Sequence, residues 1–263
     1  MRQCIAFFFC LSFCSGVFAS DSVLCEKPIT FLFGPLFSKT YIDLKFSDIH
    51  KSIHHNMGCE IDITIADNRD VYFEYIRENR YDMVLISSIH LNGIEKSNYQ
   101  HLVSGFGPIE VVLLVTKRSS ITQPKDLVGK SLLLNSDINI PAVVWRSYAN
   151  THGLSGRVNY QYPANVDSVA FELIKNKGDA ALTYIGFYNR LPPNLKRQLR
   201  LLYSQEMAHP GTIVISKAFK SEVRYRLREV YAASDKWETI RPKQDVKADA
   251  IVNQKLDALL KKN

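Results

Sequence analysis

The chain has 263 residues, 33 of them Lys or Arg and 26 Asp or Glu, for a formal net charge of +7. That balance suits anionic partners without choosing among a small oxyanion, a membrane surface and nucleic acid. The basic side chains are spread over predicted helix faces, at Lys196, Arg197 and Arg200 and at Arg224, Arg226 and Arg228, where solvation accounts for them, so nucleic acid is not expected as a partner. Pro and Gly are scattered and there is no sequence repeat, which excludes a low-complexity tail or a flexible linker between independent domains.

Arg2, the apolar stretch Ile5 to Phe13 and the small-residue site Val17-Phe18-Ala19 read as a cleavable secretory signal peptide, with the mature chain beginning near Ser20. The apolar run is shorter than the ~20 residues a membrane span needs, and nothing after residue 20 approaches one. A lipid-anchored reading fails at Cys25, because Leu24 is too large for the residue before a lipidated Cys. Removal of residues 1–19 takes away Arg2 alone and leaves 32 basic against 26 acidic residues, or +6. The mature chain, about 240 residues, exceeds the usual single core and suits one large domain or two lobes.

Cys4, Cys10 and Cys14 leave with the signal, and Cys25 and Cys59 remain. An even pair in an exported protein suggests a disulfide. Each precedes a predicted strand, Ile29 to Phe33 and Glu60 to Ala66; if these are parallel neighbours their N-terminal ends lie side by side and a bridge is geometrically reasonable. The alternative is two unrelated thiols. A metal site is not expected, since no Cys-x-x-Cys or His-x-x-x-His spacing accompanies them.

After the first strand, Phe46 to Met57 is helix-like, and Glu60 to Ala66 alternates Ile61, Ile63 and Ile65 on one face. Asn68 to Arg80 follows as an amphipathic helix with Asp67 or Asn68 as N-cap and Val71, Tyr75 and Ile76 toward the core, and Asp82 to Ser87 is a buried strand. This βαβαβ alternation predicts a parallel sheet with right-handed crossovers. A second alternating set comprises the strand Leu132 to Asn135, the helix Pro141 to His152, the strand Asn159 to Tyr162, the helix Val166 to Lys177 and the strand Ala180 to Tyr184. Ile213 to Ser216 is a further strand, with helices near Ser221 to Ala232 and Ala248 to Lys261.

Between the two sets lies Ile109 to Leu134. Val111 to Thr116 is too short and β-branched for a free-standing helix; Pro124 starts a turn of helix, Gly129 supplies the positive φ that closes it, and Leu132 to Leu134 resumes the sheet. Ser119, Ser120, Ile121, Asp126, Leu127, Gly129 and Lys130 resemble the solute-binding pattern of bacterial two-lobed periplasmic receptors, and in particular the phosphate, phosphite and phosphonate-binding branch that serves ABC importers. The resemblance covers nearly the whole mature chain. It implies an α/β type 2 periplasmic binding protein fold, each lobe a mixed, mainly parallel sheet flanked by helices, with two hinge crossings.

On that pattern residues 20–107 and 210–263 form a discontinuous first lobe and 108–209 the second, with the crossings near Gly107-Pro108 and His209-Pro210-Gly211. Tyr81-Asp82-Met83 and Asp179-Ala180-Ala181 look like the family's Asp that opens a strand to the ligand cleft.

Open α/β sheets hold ligands outside the carboxyl ends of their strands. This selects Pro35 to Tyr41, Asp67 and Asn68, and Ser87, Ser88 and His90 in the first lobe, and Asn135 to Asn139, Ala164 to Asp167 and Thr183 to Tyr188 in the second. These segments precede helices, whose free N–H groups hold anions. The candidate ligand-binding residues are Tyr41, Ser87, Ser88, Ser136, Asn139, Asn165, Thr183 and Tyr184. Individually Ser and Asn are ordinary helix caps and Tyr is ordinary packing; the functional reading rests on their convergence at one cleft.

Phosphonate-binding relatives carry a Ser-Thr-Ser-like run where this chain has Asn135-Ser136-Asp137-Ile138-Asn139-Ile140-Pro141, and often a His where it has Asn165. Asp137 would repel a dianion if it pointed inward, so either it caps the helix or the ligand differs.

No Gly-x-Ser-x-Gly, His-Glu-x-x-His or phosphate-binding Gly loop is present, and the adjacent His54 and His55 do not share a helix face. No catalytic residue, metal or cofactor is therefore expected. The resemblance implies a monomeric periplasmic receptor for a small oxyanion or organic anion, with the membrane permease of an ABC importer as its partner. Alternatives are a receptor reporting to a membrane sensor and an enzyme on the same scaffold.

Overall fold

The computed structural model describes residues 24–36, 38–105, 109–163, 166–207, 211–234 and 249–261; the signal-peptide reading, Asn165 and most of the two hinge motifs lie outside them, as does the side chain of Tyr41. The chain builds two mixed five-stranded sheets, each flanked by helices, which is the two-lobed arrangement the resemblance implies.

The first sheet uses β1 (Ile29–Phe33), β2 (Ile61–Ile65), β3 (Met83–Ser87), β4 (Tyr99–Gly105) and, from late in the chain, β10 (Gly211–Ser216), in the order β2-β1-β3-β10-β4. Strands β1, β2 and β3 are parallel, and β10 runs antiparallel between β3 and β4. The second sheet uses β5 (Ile109–Thr116), β6 (Ser131–Leu133), β7 (Asn159–Gln161), β8 (Ala180–Tyr184) and β9 (Leu199–Met207), in the order β7-β6-β8-β5-β9. Again the fourth strand in the order, β5, runs antiparallel to both of its neighbours. The chain passes between the sheets twice, from β4 to β5 and from β9 to β10. Gly105 pairs with Gly211 and Ile109 with Met207, so the strands leading into the two passages run side by side.

Helix α1 (Lys39–Met57) begins seven residues before the sequence-based start at Phe46. Its buried positions Ile42, Phe46, Ile49, Ile53 and Met57 recur every three or four residues, so the helical stripe extends upstream of Phe46. Helix α2 (Arg69–Arg77) is capped by Asn68 as expected, but Tyr72, Phe73 and Ile76 form its buried face, with Val71 and Tyr75 flanking it. The Tyr72 hydroxyl donates to the Leu85 carbonyl at 2.7 Å, which removes the penalty of burying that ring.

A 3-10 turn and the short α3 (Leu91–Ile94) follow β3. In the second lobe come α4 (Ile140–Thr151), α5 (Val166–Ile174), α6 (Ile185–Arg190) and α7 (Pro193–Lys196); α8 (Ser221–Ala233) and α9 (Ala250–Leu260) return to the first lobe. Arg200, expected on a helix face, lies in β9 and donates to the Ile121 carbonyl at 2.6 Å.

The connector folds as expected: Pro124–Leu127 is one 3-10 turn and Gly129 has φ +73°. Asp126 is held by the amides of Thr122 and Gln123, which also keep its carboxyl below the usual carboxylate range. Cys25 and Cys59 form a disulfide with their Cα atoms 5.1 Å apart, at the start of the paired β1 and β2.

The two Asp motifs open β3 and β8, the strands that lead to the cleft, as expected. Asp82 accepts from the amide and hydroxyl of Thr30 at the start of β1, both at 2.9 Å, and Asp179 does the same to Ser131 at the start of β6, at 2.8 and 2.9 Å. Both therefore sit at the N-terminal ends of β3 and β8, opposite the ligand end, and pin adjacent parallel strands in register. In each lobe the preceding helix ends through an Asn with positive φ, Asn79 at 54° and Asn176 at 57°. The following amide closes back onto Tyr75 or Glu172, a helix stop that Asn tolerates because it adopts the left-handed region more readily than most residues.

Candidate functional site

The carboxyl ends of the parallel strands in both lobes face a common cleft of about 1820 Å³. This exceeds the ~300–1,000 Å³ of most small-molecule sites, so a solute of few atoms touches only part of the wall and the polar groups decide where. Lobe 1 contributes the segments after β1, β2 and β3, and lobe 2 those after β6, β7 and β8; Lys255, Ala258 and Leu259 of α9 add to the wall.

Polar contacts cross the cleft. His90, in the 3-10 turn after β3, donates from Nε2 to the Ile138 carbonyl at 2.8 Å. Burial pushes its pKa down, which keeps the ring neutral, and the carbonyl acceptor fixes the proton on Nε2. Arg69, the first residue of α2, donates to Ser136 Oγ at 3.3 Å.

Helix α9 joins the lobes from the side. Its N-cap Asp249 pairs with Arg146 of α4 at 2.5 Å, and its Lys255 pairs with Asp137; Arg146 also donates to the Asp137 carbonyl at 2.7 Å. The helix is seated on lobe 1 at Gly93, where a Cβ would stand 2.3 Å from a Leu256 methyl, so only glycine admits that approach. Asp137 is thus neutralised by a lysine from the other lobe and does not cap α4.

Among the candidate residues, Ser87, Ser136, Asn139 and Tyr184 line this cleft together. Ser87 Oγ is buried without a hydrogen-bond partner among the described residues. Ser136 Oγ accepts from both Arg69 and the Ile138 amide. The side chain of Asn139 caps α4, its oxygen accepting from the Ala142 amide at 2.9 Å while its nitrogen donates to Asn135. The Tyr184 hydroxyl is hydrogen-bonded to the backbone of Ile140, and burial raises its pKa.

Ser88 is not part of the wall. Thr183 is 2 % exposed and shares a face of β8 with Ala181, turned to the core against α5 and away from the cleft. Strand alternation places Thr183 and Tyr184 on opposite faces, so the segment rule could select only one of them. Tyr41 lies in α1, and its side chain and all of Asn165 fall outside the described residues.

Arg69, Arg146, Asp249 and Lys255 escaped the sequence reading. Arg69 follows the N-cap Asn68 directly, so extending the strand-end rule by one residue finds it. The other three meet only through long-range packing and carry no local signal. Among the described residues no cluster of His, Cys, Asp and Glu could hold a metal ion, and no helix is long and apolar enough to cross a membrane.

Comparison with known proteins agrees with this geometry. Residues 31–250 match the family described as "ABC transporter, phosphonate, periplasmic substrate-binding protein". A comparison with curated proteins finds no match. Similar solved structures include PhnD1 of Prochlorococcus marinus in complex with methylphosphonate, at 16% identity and TM-score 0.65 over 89% of this chain and 97% of that one. A binding-protein component of an ABC phosphonate transporter from Pseudomonas aeruginosa gives 14% identity and TM-score 0.62, covering 81% and 77%. The periplasmic aliphatic sulphonate binding protein SsuA of Escherichia coli gives 12% identity and TM-score 0.59, covering 79% and 71%.

At these identities the structural likeness speaks for the fold alone, whereas the family match spans most of the sequence. The family is a transport substrate-binding family and not an enzyme family. This chain belongs to the periplasmic substrate-binding proteins of the phosphonate ABC-transporter family.

Proposed function

We propose that this protein is exported through a cleavable signal peptide, closes its two lobes around a small solute bearing an anionic group, and delivers it as a monomer to the permease of an ABC importer. The lobes divide near residues 107 and 209. The observation that carries this reading is a single interlobe cleft walled by both sheets and spanned by Arg69–Ser136 and His90–Ile138. A ligand touching both walls binds the closed form better than the open one, and that difference in affinity moves the equilibrium toward closure. The closed form is then what a transporter recognises. The neighbours that carry methylphosphonate or are named for phosphonate and sulphonate make an oxyanion or organic anion the first class to test.

The test is a thermal-shift screen of the mature protein with phosphate, phosphite, phosphonates, sulfonates and carboxylates, followed by calorimetry. One anion class should raise the midpoint and bind with one-to-one stoichiometry without product. Hits confined to neutral or cationic solutes overturn the anion reading, and turnover of a hit overturns the receptor reading.

A further inference from the structure

A chain that binds an anion at helix N-termini must leave amides free there, and the two lobes differ in this respect. In the first turn of α4, the Ile140 backbone is hydrogen-bonded to the Tyr184 hydroxyl and Pro141 has no N–H. The Ala142 amide goes to Asn139 Oδ1 and the Val143 amide to the Asn139 carbonyl. The Ile138 amide just before the helix goes to Ser136 Oγ. The start of α4 is therefore filled from within the protein.

In lobe 1, Asn68 caps α2 in the same way, taking the Val71 and Tyr72 amides, but the Arg69 and Asp70 amides ahead of them have no hydrogen-bond partner among the described residues. There the chain places a guanidinium at the positive end of a helix, where a cation is electrostatically disfavoured, and such a local conflict marks a functional position.

The charge of the cleft limits what that guanidinium can take. Among the described residues lining it, six carboxylates stand against four cations. Of the cations, Lys255 is neutralised by Asp137 and Arg190 stacks over Phe187 at 4.3 Å. Lys45 belongs to α1. Arg69 reaches across the cleft to a hydroxyl and not to a carboxylate, through its 3.3 Å bond to Ser136; its ion pair with Asp70 is long, at 3.5 Å, and solvent-exposed.

We infer that Arg69 selects the solute and that it selects a singly charged anionic group, a carboxylate or sulfonate, over a phosphonate dianion. A planar guanidinium presents paired donors that match two oxygens of such a group. One cation neutralises one charge, and a second negative charge faces a wall with a surplus of carboxylates and a closed α4 cradle. The inference rests on the anion reading proposed above.

Methanesulfonate and methylphosphonate are near-isosteric and differ by one charge at about pH 8.5, where a phosphoryl group is dianionic. Calorimetry on the mature protein should find methanesulfonate or acetate bound at least about tenfold more tightly than methylphosphonate, and Arg69→Gln should weaken the preferred probe by about tenfold or more. Arg226→Gln removes an exposed charge paired with Glu229 on α8 and should bind as the unaltered protein does.

If the dianion binds as tightly, or if Arg69→Gln binds the anion unchanged while remaining folded by circular dichroism, this inference fails and the anion reading stands. If the unaltered protein binds no anion of either charge, the anion reading fails and takes this one with it.

Discussion

The two lobes are the same framework built twice. Each has five strands in the same spatial order with the fourth alone antiparallel to its neighbours, a helix stopped by an Asn with positive φ, and an Asp that clamps two adjacent parallel strands together. At the carboxyl ends of those strands the likeness stops. Asn68 and Asn139 cap α2 and α4 alike, but Tyr184 and Pro141 close the first two positions of α4, whereas the Arg69 and Asp70 amides of α2 stay open among the described residues. A duplicated framework thus fixes where the cleft lies, and the residues mounted on it decide what each wall offers. The lobes also differ in reinforcement, because among the described residues the disulfide belongs to lobe 1 alone.

The disulfide gives the largest expected separation between the lobes. Replacing Cys25 and Cys59 with Ser releases a loop with a sequence separation of 34 and should cost roughly 3–4 kcal/mol. Urea unfolding in a Trp237→Phe background, followed separately by the fluorescence of Trp145 in lobe 2 and by circular dichroism, should show lobe 1 melting first. Coincident transitions with an unmoved midpoint would remove the disulfide as a source of asymmetry.

The Asp clamps test the likeness itself. Asp82→Ala and Asp179→Ala each remove a carboxylate that accepts one amide and one hydroxyl, and each should lower stability by about 2–3 kcal/mol. Measured by denaturant titration, the two losses should agree within about 1 kcal/mol. A large loss in one lobe with none in the other would reduce the repeat to a geometric coincidence.

The smallest effect is a pH dependence carried by lobe 1. His50 sits between Phe31 and Phe46 on α1, its Nε2 buried without a partner among the described residues, and burial lowers its pKa to about 4. The unfolded chain takes up that proton near pH 6.5 and the folded one only near pH 4. This contribution to stability is therefore whole above about pH 6.5 and is lost as the pH falls through that window. Up to roughly 2 kcal/mol should disappear between about pH 7 and pH 4.5. His50→Phe should flatten that part of the profile. The buried face of α4 in lobe 2 carries no titratable side chain. An unchanged slope in His50→Phe would place the acid sensitivity elsewhere.

Much of the framework was legible without coordinates, because short β-branched strands, amphipathic helices, the Asn68 cap and the Pro124 to Gly129 turn are local patterns. The cysteines were legible for the same reason, each lying just ahead of a strand. The edge strands β4 and β9 were not, since they carry mixed polar residues, meet their partners far along the chain and pass a register shift. The Asp motifs were legible as a pair that opens two strands, but their clamps on Thr30 and Ser131 were not, because those partners lie 52 and 48 residues away along the chain.

The cleft divides in the same way. The sequence by itself determined which strand ends converge, because the strand-to-helix alternation imposes that on any chain with this pattern. Only the tertiary structure decided that Asp137 is paired with Lys255, that Tyr184 meets the first turn of α4 while Arg69 reaches Ser136, and that Thr183 turns away. Those outcomes depend on which side chains packing brings together from opposite lobes and on the face each strand residue presents, and neither is encoded in local spacing.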